Sequence, residues 1–171
     1  MKKLLVVLFA GLAVVAQGAM LQKGTQELSI NGSLDFESAD GTATELELGY
    51  GYFILDGLQV GVAASIADSD SARLYALGVG AEYNFDLGSQ LVPFIGLNIG
   101  WGKGEIELAG STLKDDAVVG AAEVGVKYFI VENVALELSY LFEKASEDIY
   151  FNDEKAEDTD NSLQLGLRFY F

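Results

Sequence analysis

Leu165-Gly166-Leu167-Arg168-Phe169-Tyr170-Phe171 is the stretch whose reading decides the fold. Apolar side chains fall on alternate positions, Leu163, Leu165, Leu167, Phe169 and Phe171, with Gln164, Gly166, Arg168 and Tyr170 between them. A period of two is the signature of a strand with two unlike faces. The same pattern recurs at Leu48-Gly49-Tyr50-Gly51-Tyr52-Phe53-Ile54, at Val79-Gly80-Ala81-Glu82-Tyr83-Asn84-Phe85 and at Val124-Gly125-Val126-Lys127-Tyr128-Phe129-Ile130. Each of these three copies is followed by a short turn and a further alternating run. A unit repeated in this way predicts hairpins, about eight strands in all.

Composition narrows the function classes. The 171 residues suffice for one domain. With no cysteine and no histidine, disulfides, thiol chemistry and any His-dependent triad are excluded. Lys and Arg number 10 against 26 Asp and Glu, a net charge of −16 that disfavours nucleic acid and anionic lipid surfaces as partners. Half of the residues are hydrophobic, yet no apolar run approaches the ~20 residues of a spanning helix.

Met1 to Ala19 reads as a secretory signal peptide: Lys2 and Lys3, an apolar Leu4 to Ala16, then the small-x-small site Ala16-Gln17-Gly18. Residues 20–171 are then expected to form one barrel domain. The expected strands run near Gln26–Phe36, Thr44–Ile54, Leu58–Ala67, Arg73–Phe85, Leu91–Gly102, Ala117–Ile130, Val134–Glu143 and, after Asp160, to the end. Asp56-Gly57 marks a tight turn, and Pro93 sits near a strand start, where a missing donor is tolerated. Lys103–Asp116 and the acidic Lys144–Asp160 read as long loops. Short turns at one end and longer loops at the other match a membrane barrel.

Side-chain size decides which face points out. Leu46, Leu48, Tyr50, Val62, Leu77, Ile95, Leu97 and Trp101 share one face; Gly49, Gly51, Gly61, Ala63, Gly78, Gly80, Gly100 and Gly125 share the other. The interior of a barrel of about eight strands is only wide enough to be filled by side chains, so the large groups cannot all lie inside. They must face lipid, the one surrounding that makes such exposure favourable. The charges agree, since Asp35, Glu45, Glu47, Glu82, Glu123, Lys127, Glu137 and Arg168 fall on the small-residue face. Tyr52, Tyr83, Phe85, Tyr128, Phe169 and Phe171 would form the periplasmic aromatic girdle, and Phe36, Tyr75, Trp101, Tyr140 and Phe142 the outer one. The expected fold is therefore an all-β, eight-stranded, antiparallel up-and-down transmembrane β-barrel.

The repeated pattern, Pro93-Phe94-Ile95-Gly96, Gly125-Val126-Lys127-Tyr128-Phe129 and the terminal aromatic together resemble the small OmpA/OmpX-type outer-membrane barrels. The resemblance implies an outer-membrane location in a Gram-negative-type bacterium. It implies recognition of the terminal strand by the barrel-assembly machinery, with Phe169 and Phe171 as the signal. Barrels of this type serve as adhesins, membrane stabilisers, narrow pores and lipid enzymes, so it does not fix a role.

The expected role is a non-enzymatic one in envelope integrity or surface contact. A narrow ion-conducting pore is the alternative, and a histidine-free lipid-modifying enzyme is a remoter one. No catalytic, cofactor or metal residue is assigned, and outer-membrane lipids are the expected surroundings of a monomer. Glu143, Glu147, Asp148, Asp153, Glu154, Glu157, Asp158 and Asp160 crowd one loop. Divalent cations are conceivable there, but the spacing matches no EF-hand, and a solvated, self-repelling loop is the expectation. Within the lumen, the pattern's fourth position is Glu82, Lys127 and Arg168, and Glu137 sits three residues into its strand. Hairpin neighbours should bring Glu137 between Lys127 and Arg168, with Glu82 or Glu123 as a further partner. Inward Phe53, Phe94, Phe129 and Tyr170 should lie below and obstruct the lumen.

Overall fold

The computed structural model describes residues 21–35, 43–68, 72–108, 111–152 and 155–171. The expected signal peptide, Phe36, and Asp153 and Glu154 of the acidic loop lie outside them. Among the described residues ten strands are formed: β1 (Gln26–Asp35), β2 (Ala43–Leu55), β3 (Leu58–Asp68), β4 (Ala72–Asn84), β5 (Leu91–Leu108), β6 (Ser111–Val131), β7 (Val134–Ala145), β8 (Tyr150–Asn152), β9 (Lys155–Glu157) and β10 (Thr159–Tyr170). Eight of them close a barrel in the order β1-β10-β7-β6-β5-β4-β3-β2, and β8 and β9 pair only with each other. Every barrel pairing is antiparallel. The closing seam runs from Glu27 opposite Tyr170 to Gly32 opposite Leu165. Closure leaves no unpaired edge in the wall, which hydrocarbon demands, because it cannot hydrogen-bond a free N–H or C=O.

The short turns behave as their residues dictate. Gly57 adopts φ 76°, and a Cβ there would lie 2.7 Å from the Asn84 carbonyl oxygen, so only glycine fits this turn. Its N–H donates to the Leu21 carbonyl at 2.7 Å, and its own carbonyl accepts from the Asn84 N–H at 2.7 Å. The residues before β1 are thereby stitched across the inner ends of β2 and β4.

Exposure follows the face assignment. Leu97 is 69% exposed and Leu165 66%, whereas Phe53 and Lys127 are wholly buried. Tyr52, Tyr83, Phe85, Tyr128 and Phe171 are exposed at one end of the wall; Tyr75, Trp101, Tyr140 and Phe142 are exposed toward the other. Along β7 the alternation puts Ala135, Glu137, Ser139 and Leu141 inside and Leu136, Leu138, Tyr140 and Phe142 outside.

Two of the expected loops are corrected. Lys103–Asp116 is not a loop: β5 and β6 continue as a paired hairpin, with Lys103 opposite Asp116 and the ladder running on to Leu108 opposite Ser111. The sequence criterion was an apolar outer face. Above the bilayer a ladder needs no such face, because its backbone hydrogen bonds suffice. Lys144–Asp160 is also not a uniformly solvated loop. β7 reaches Ala145, β10 pairs Thr159 with Lys144, and β8 and β9 form their own small hairpin. Ile149 and Tyr150 are buried with Ala117, Val119 and Ala145 against Leu74.

Candidate functional site

The inward residues of the lower barrel are charged as well as small. Glu27 comes from β1, Glu82 from β4, Lys127 from β6, Glu137 from β7 and Arg168 from β10, and all five are buried. Taking such groups out of water is expensive unless each charge finds a partner and its remaining donors and acceptors are satisfied. The lumen meets that condition by sharing. Arg168 donates through Nε and Nη2 to both oxygens of Glu137, the Nη2 bond measuring 2.7 Å. Its Nη1 donates to Glu27 at 2.8 Å. The Lys127 ammonium donates to Glu82 and, at 3.2 Å, to Glu27. Arg168 also stands 4.0 Å from Glu82.

Neutral groups complete the layer. Gln59 Nε2 bridges Glu27 and Glu82, at 3.2 Å to each. Asn84 donates to Glu82 at 2.7 Å, and the Ser139 hydroxyl donates to Glu137 at 3.3 Å. Five barrel strands are thus tied through charged side chains across the lumen, and β3 joins them through Gln59.

Register explains the arrangement. Glu137 faces Lys127 on β6 and Gly166 on β10. Arg168 is one inward position beyond Gly166 and reaches back to Glu137. This is the offset expected of a sheared barrel. The space at Gly166 is taken by Asn31, whose Oδ1 would lie 2.1 Å from an added Cβ. Lys127 and Glu137 are cross-strand neighbours, but the ammonium bonds Glu27 and Glu82 while the Glu137 carboxylate goes to Arg168 and Ser139. Glu123 lies two inward positions further along β6, and its Oε1 is buried with no hydrogen-bond partner. Of the two further partners expected, Glu82 is in the cluster.

Sequence reasoning missed Glu27 and Gln59. The signal for Glu27 was present: it precedes Ser29 by two on the polar face of β1, and closure places β1 beside β10, with Ser29 opposite Arg168. Gln59 is the second residue after the Asp56-Gly57 turn and carries no charge to draw notice.

An apolar floor lies beneath the ionic layer. Leu21, Phe53, Val92, Phe129, Ala135 and Tyr170 pack as one buried cluster. The rings of Phe129 and Tyr170 are 5.1 Å apart, and those of Phe53 and Tyr170 are 6.4 Å apart. Phe94, 1% exposed, sits under the Lys127 ammonium, which lies 4.9 Å from the ring centroid. A Cβ on Gly125 would come within 2.6 Å of this ring, so the glycine is what gives Phe94 its place. On the other side of the ionic layer a cavity of about 130 Å³ remains, with Glu45, Glu47, Asn98, Glu123, Glu143 and Gln164 among its lining residues. Among the described residues, no group of carboxylates is arranged to hold a metal ion.

At the end of β10 the Phe171 carbonyl accepts from the Gln26 N–H at 2.8 Å, and the Phe171 N–H donates to the Gln26 carbonyl at 3.0 Å. The Phe171 ring is exposed on the outer face. The two expected assembly-signal residues, Phe169 and Phe171, thus occupy the seam that closes the barrel.

A closed eight-stranded antiparallel wall, apolar outside and ion-paired inside, defines the class of small outer-membrane β-barrels. The chain belongs to that class by family as well: residues 4–171 match the family described as "Outer membrane protein beta-barrel domain". Comparison with curated proteins finds no match. Among solved structures, the chain is similar to the neisserial surface protein NspA, at 20% identity and a TM-score of 0.62, covering 86% of this chain and 96% of that one. It is similar to the N-terminal β-barrel domain of Pseudomonas aeruginosa OprF, at 17% identity and a TM-score of 0.70, with coverage of 91% and 100%. Ail, the attachment invasion locus protein of Yersinia pestis, gives 17% identity and a TM-score of 0.58, with coverage of 88% and 100%. At these identities the likeness is one of fold.

Proposed function

We propose that this barrel has a non-enzymatic role in the outer membrane, stabilising the envelope or presenting acidic loops for surface contact, with its lumen held shut rather than used as a channel. The observation that carries this reading is the stacked obstruction at the inner end: an ion-paired layer tying β1, β4, β6, β7 and β10 together, lying directly on the buried Phe53–Phe129–Tyr170 floor. Such a layer stiffens the wall and leaves little route for ions. Residues 1–19 would be removed on export, the terminal strand would be read by the assembly machinery, and the barrel would work as a monomer among outer-membrane lipids. Divalent cations could bridge its acidic loops to anionic headgroups.

Reconstitution in planar bilayers tests the closed lumen: the native protein should give little or no steady current. Deletion of the gene should sensitise cells to detergent and chelator if the role is in envelope integrity. It should instead reduce attachment, with unchanged detergent sensitivity, if the role is surface contact. A second reading, a narrow ion-conducting pore, is favoured by the cavity of about 130 Å³ above the ionic layer. Sustained ohmic conductance of the native protein would establish it.

A further inference from the structure

The acidic segment after β7 carries an apolar pair that solvation does not explain. Ile149 and Tyr150 follow Glu147 and Asp148, yet each is only 5% exposed. The chain leaves β7 at Ala145 and is fixed to the neighbouring strand at once: the Ser146 N–H donates to the Val118 carbonyl at 2.9 Å, and the Ser146 hydroxyl accepts from the Val118 N–H at 3.1 Å. A tight turn follows, in which the Ile149 N–H donates to the Glu147 carbonyl at 2.9 Å. It directs Ile149 into the barrel mouth.

The mouth is shaped to receive it. Gly102 and Gly104 are consecutive inward positions of β5. A Cβ on Gly102 would lie 3.2 Å from Ile149 Cδ1, and one on Gly104 would lie 3.4 Å from the Ile149 carbonyl oxygen and 3.7 Å from its Cβ. Ala117 and Val119 of β6, Ala145 of β7 and Leu74 of β4 complete the seat. The segment therefore rests on four adjacent strands while its own anchor is on β6 and β7.

From this geometry we infer that Ser146–Tyr150 is an extracellular latch, hinged at the end of β7 and seated on the glycine step of β5, which closes the outer mouth on the β4–β7 side. The aromatic floor blocks the inner end, so the latch controls entry to the acidic cavity between them. It is held by apolar contacts, by the two Ser146–Val118 hydrogen bonds and by a hydrogen bond between Tyr150 and Glu143, and Tyr150 is paired with Glu157 in the β8–β9 hairpin. Among the described residues no covalent or ionic tie fixes it to the wall, so it can lift while the wall stays closed. The inference concerns access to the cavity and holds whether the barrel is an envelope stabiliser or a pore.

The chain has no cysteine, so introduced thiols report without background. Disulfides need Cβ atoms roughly 3.5–4.5 Å apart. Gly104→Cys combined with Ile149→Cys, in the full chain folded in detergent micelles, should therefore cross-link readily. Gly104→Cys with Glu147→Cys should do so much more slowly. In a separate arm Ala121→Cys, the next inward position below Val119, reports on entry to the cavity through its reaction with a small cationic methanethiosulfonate. Adding Ile149→Asp and Tyr150→Ser should speed that reaction severalfold in protein that keeps the heat-modifiable folded form. Equal cross-linking of the two cysteine pairs would overturn the seated latch. An unchanged labelling rate at Ala121→Cys in the opened variant would overturn its control of the mouth. If the cross-linking pair does not fold, the labelling arm alone decides.

Discussion

Arg168 holds Glu137 by both carboxylate oxygens from a position one inward step along the neighbouring strand, beyond the Gly166 that stands opposite Glu137. A bidentate guanidinium–carboxylate pair of this kind is directional as well as charged, so it fixes the relative register of β7 and β10 near the closing seam. Its removal leaves a buried cation short of its principal partner. Glu137→Ala should lower stability by ~3–5 kcal/mol if the layer stays dry, and by less if water enters. Glu137→Gln, which keeps the shape and one acceptor, should cost less than Glu137→Ala. Urea-unfolding midpoints of protein folded into vesicles measure both. Equal, negligible shifts would show that the pair is not coupled to folding.

Glu27 is the hinge of the cluster because it serves both cations, accepting from Arg168 at 2.8 Å and from Lys127 at 3.2 Å. Removing it should therefore be non-additive with removing Glu137. In a double-mutant cycle of Glu27→Gln and Glu137→Gln, the two changes act on the same Arg168 and should show a coupling of about 0.5–3 kcal/mol. A Glu27→Gln change paired with the remote Leu163→Ala should be additive. Additivity in the first cycle would mean that the carboxylates act on Arg168 independently.

The wall itself predicts a contrast between neighbours. Leu97 is 69% exposed on the outer face, whereas Asn98 lines the lumenal cavity. Leu97→Arg places a charge in lipid and should weaken folding by ~2–4 kcal/mol near the midplane. Asn98→Arg faces a cavity rich in carboxylates and should be milder. Reversed midpoints for the two variants in vesicle unfolding would invert the inside–outside assignment.

Period-two alternation was enough to read eight strands, their pairing order and the lipid face, because lipid imposes a single demand on every outward position. The ionic layer was legible in part. Glu82, Lys127 and Arg168 share one place in the repeat, and hairpin adjacency brought Glu137 to them. Which oxygen meets which nitrogen depends on shear and side-chain reach, and neither is written in a periodicity. Glu27 was within reach of the same logic, since closure makes β1 and β10 neighbours, but that seam joins the two ends of the sequence. The extended β5–β6 hairpin and the inward turn at Ile149 lie above the bilayer. There the outer face need not be apolar, so the signal that located the strands ends before the structure does.

The floor beneath the cluster gives the last prediction. Phe53, Phe129 and Tyr170 close the inner end with rings 5.1 and 6.4 Å apart, and Phe94 supports Lys127 from below in the space left by Gly125. Gly125→Val would drive a side chain into the Phe94 ring and toward the Leu138 carbonyl oxygen, 2.7 Å from the added Cβ. Backbone cannot yield as a flexible side chain does, so overpacking should cost about 1–3 kcal/mol. Phe94→Ala in the same background should restore part of that loss, because it removes the nearer of the two obstacles. Conductance separates the floor from the ionic layer. Phe129→Ala with Tyr170→Ala should open the inner end only as far as the charges above allow, giving a small rise in current. Adding Glu137→Ala should raise it further. If the aromatic pair alone gave the full increase, the floor would be the whole obstruction and the ion pairs would serve stability only.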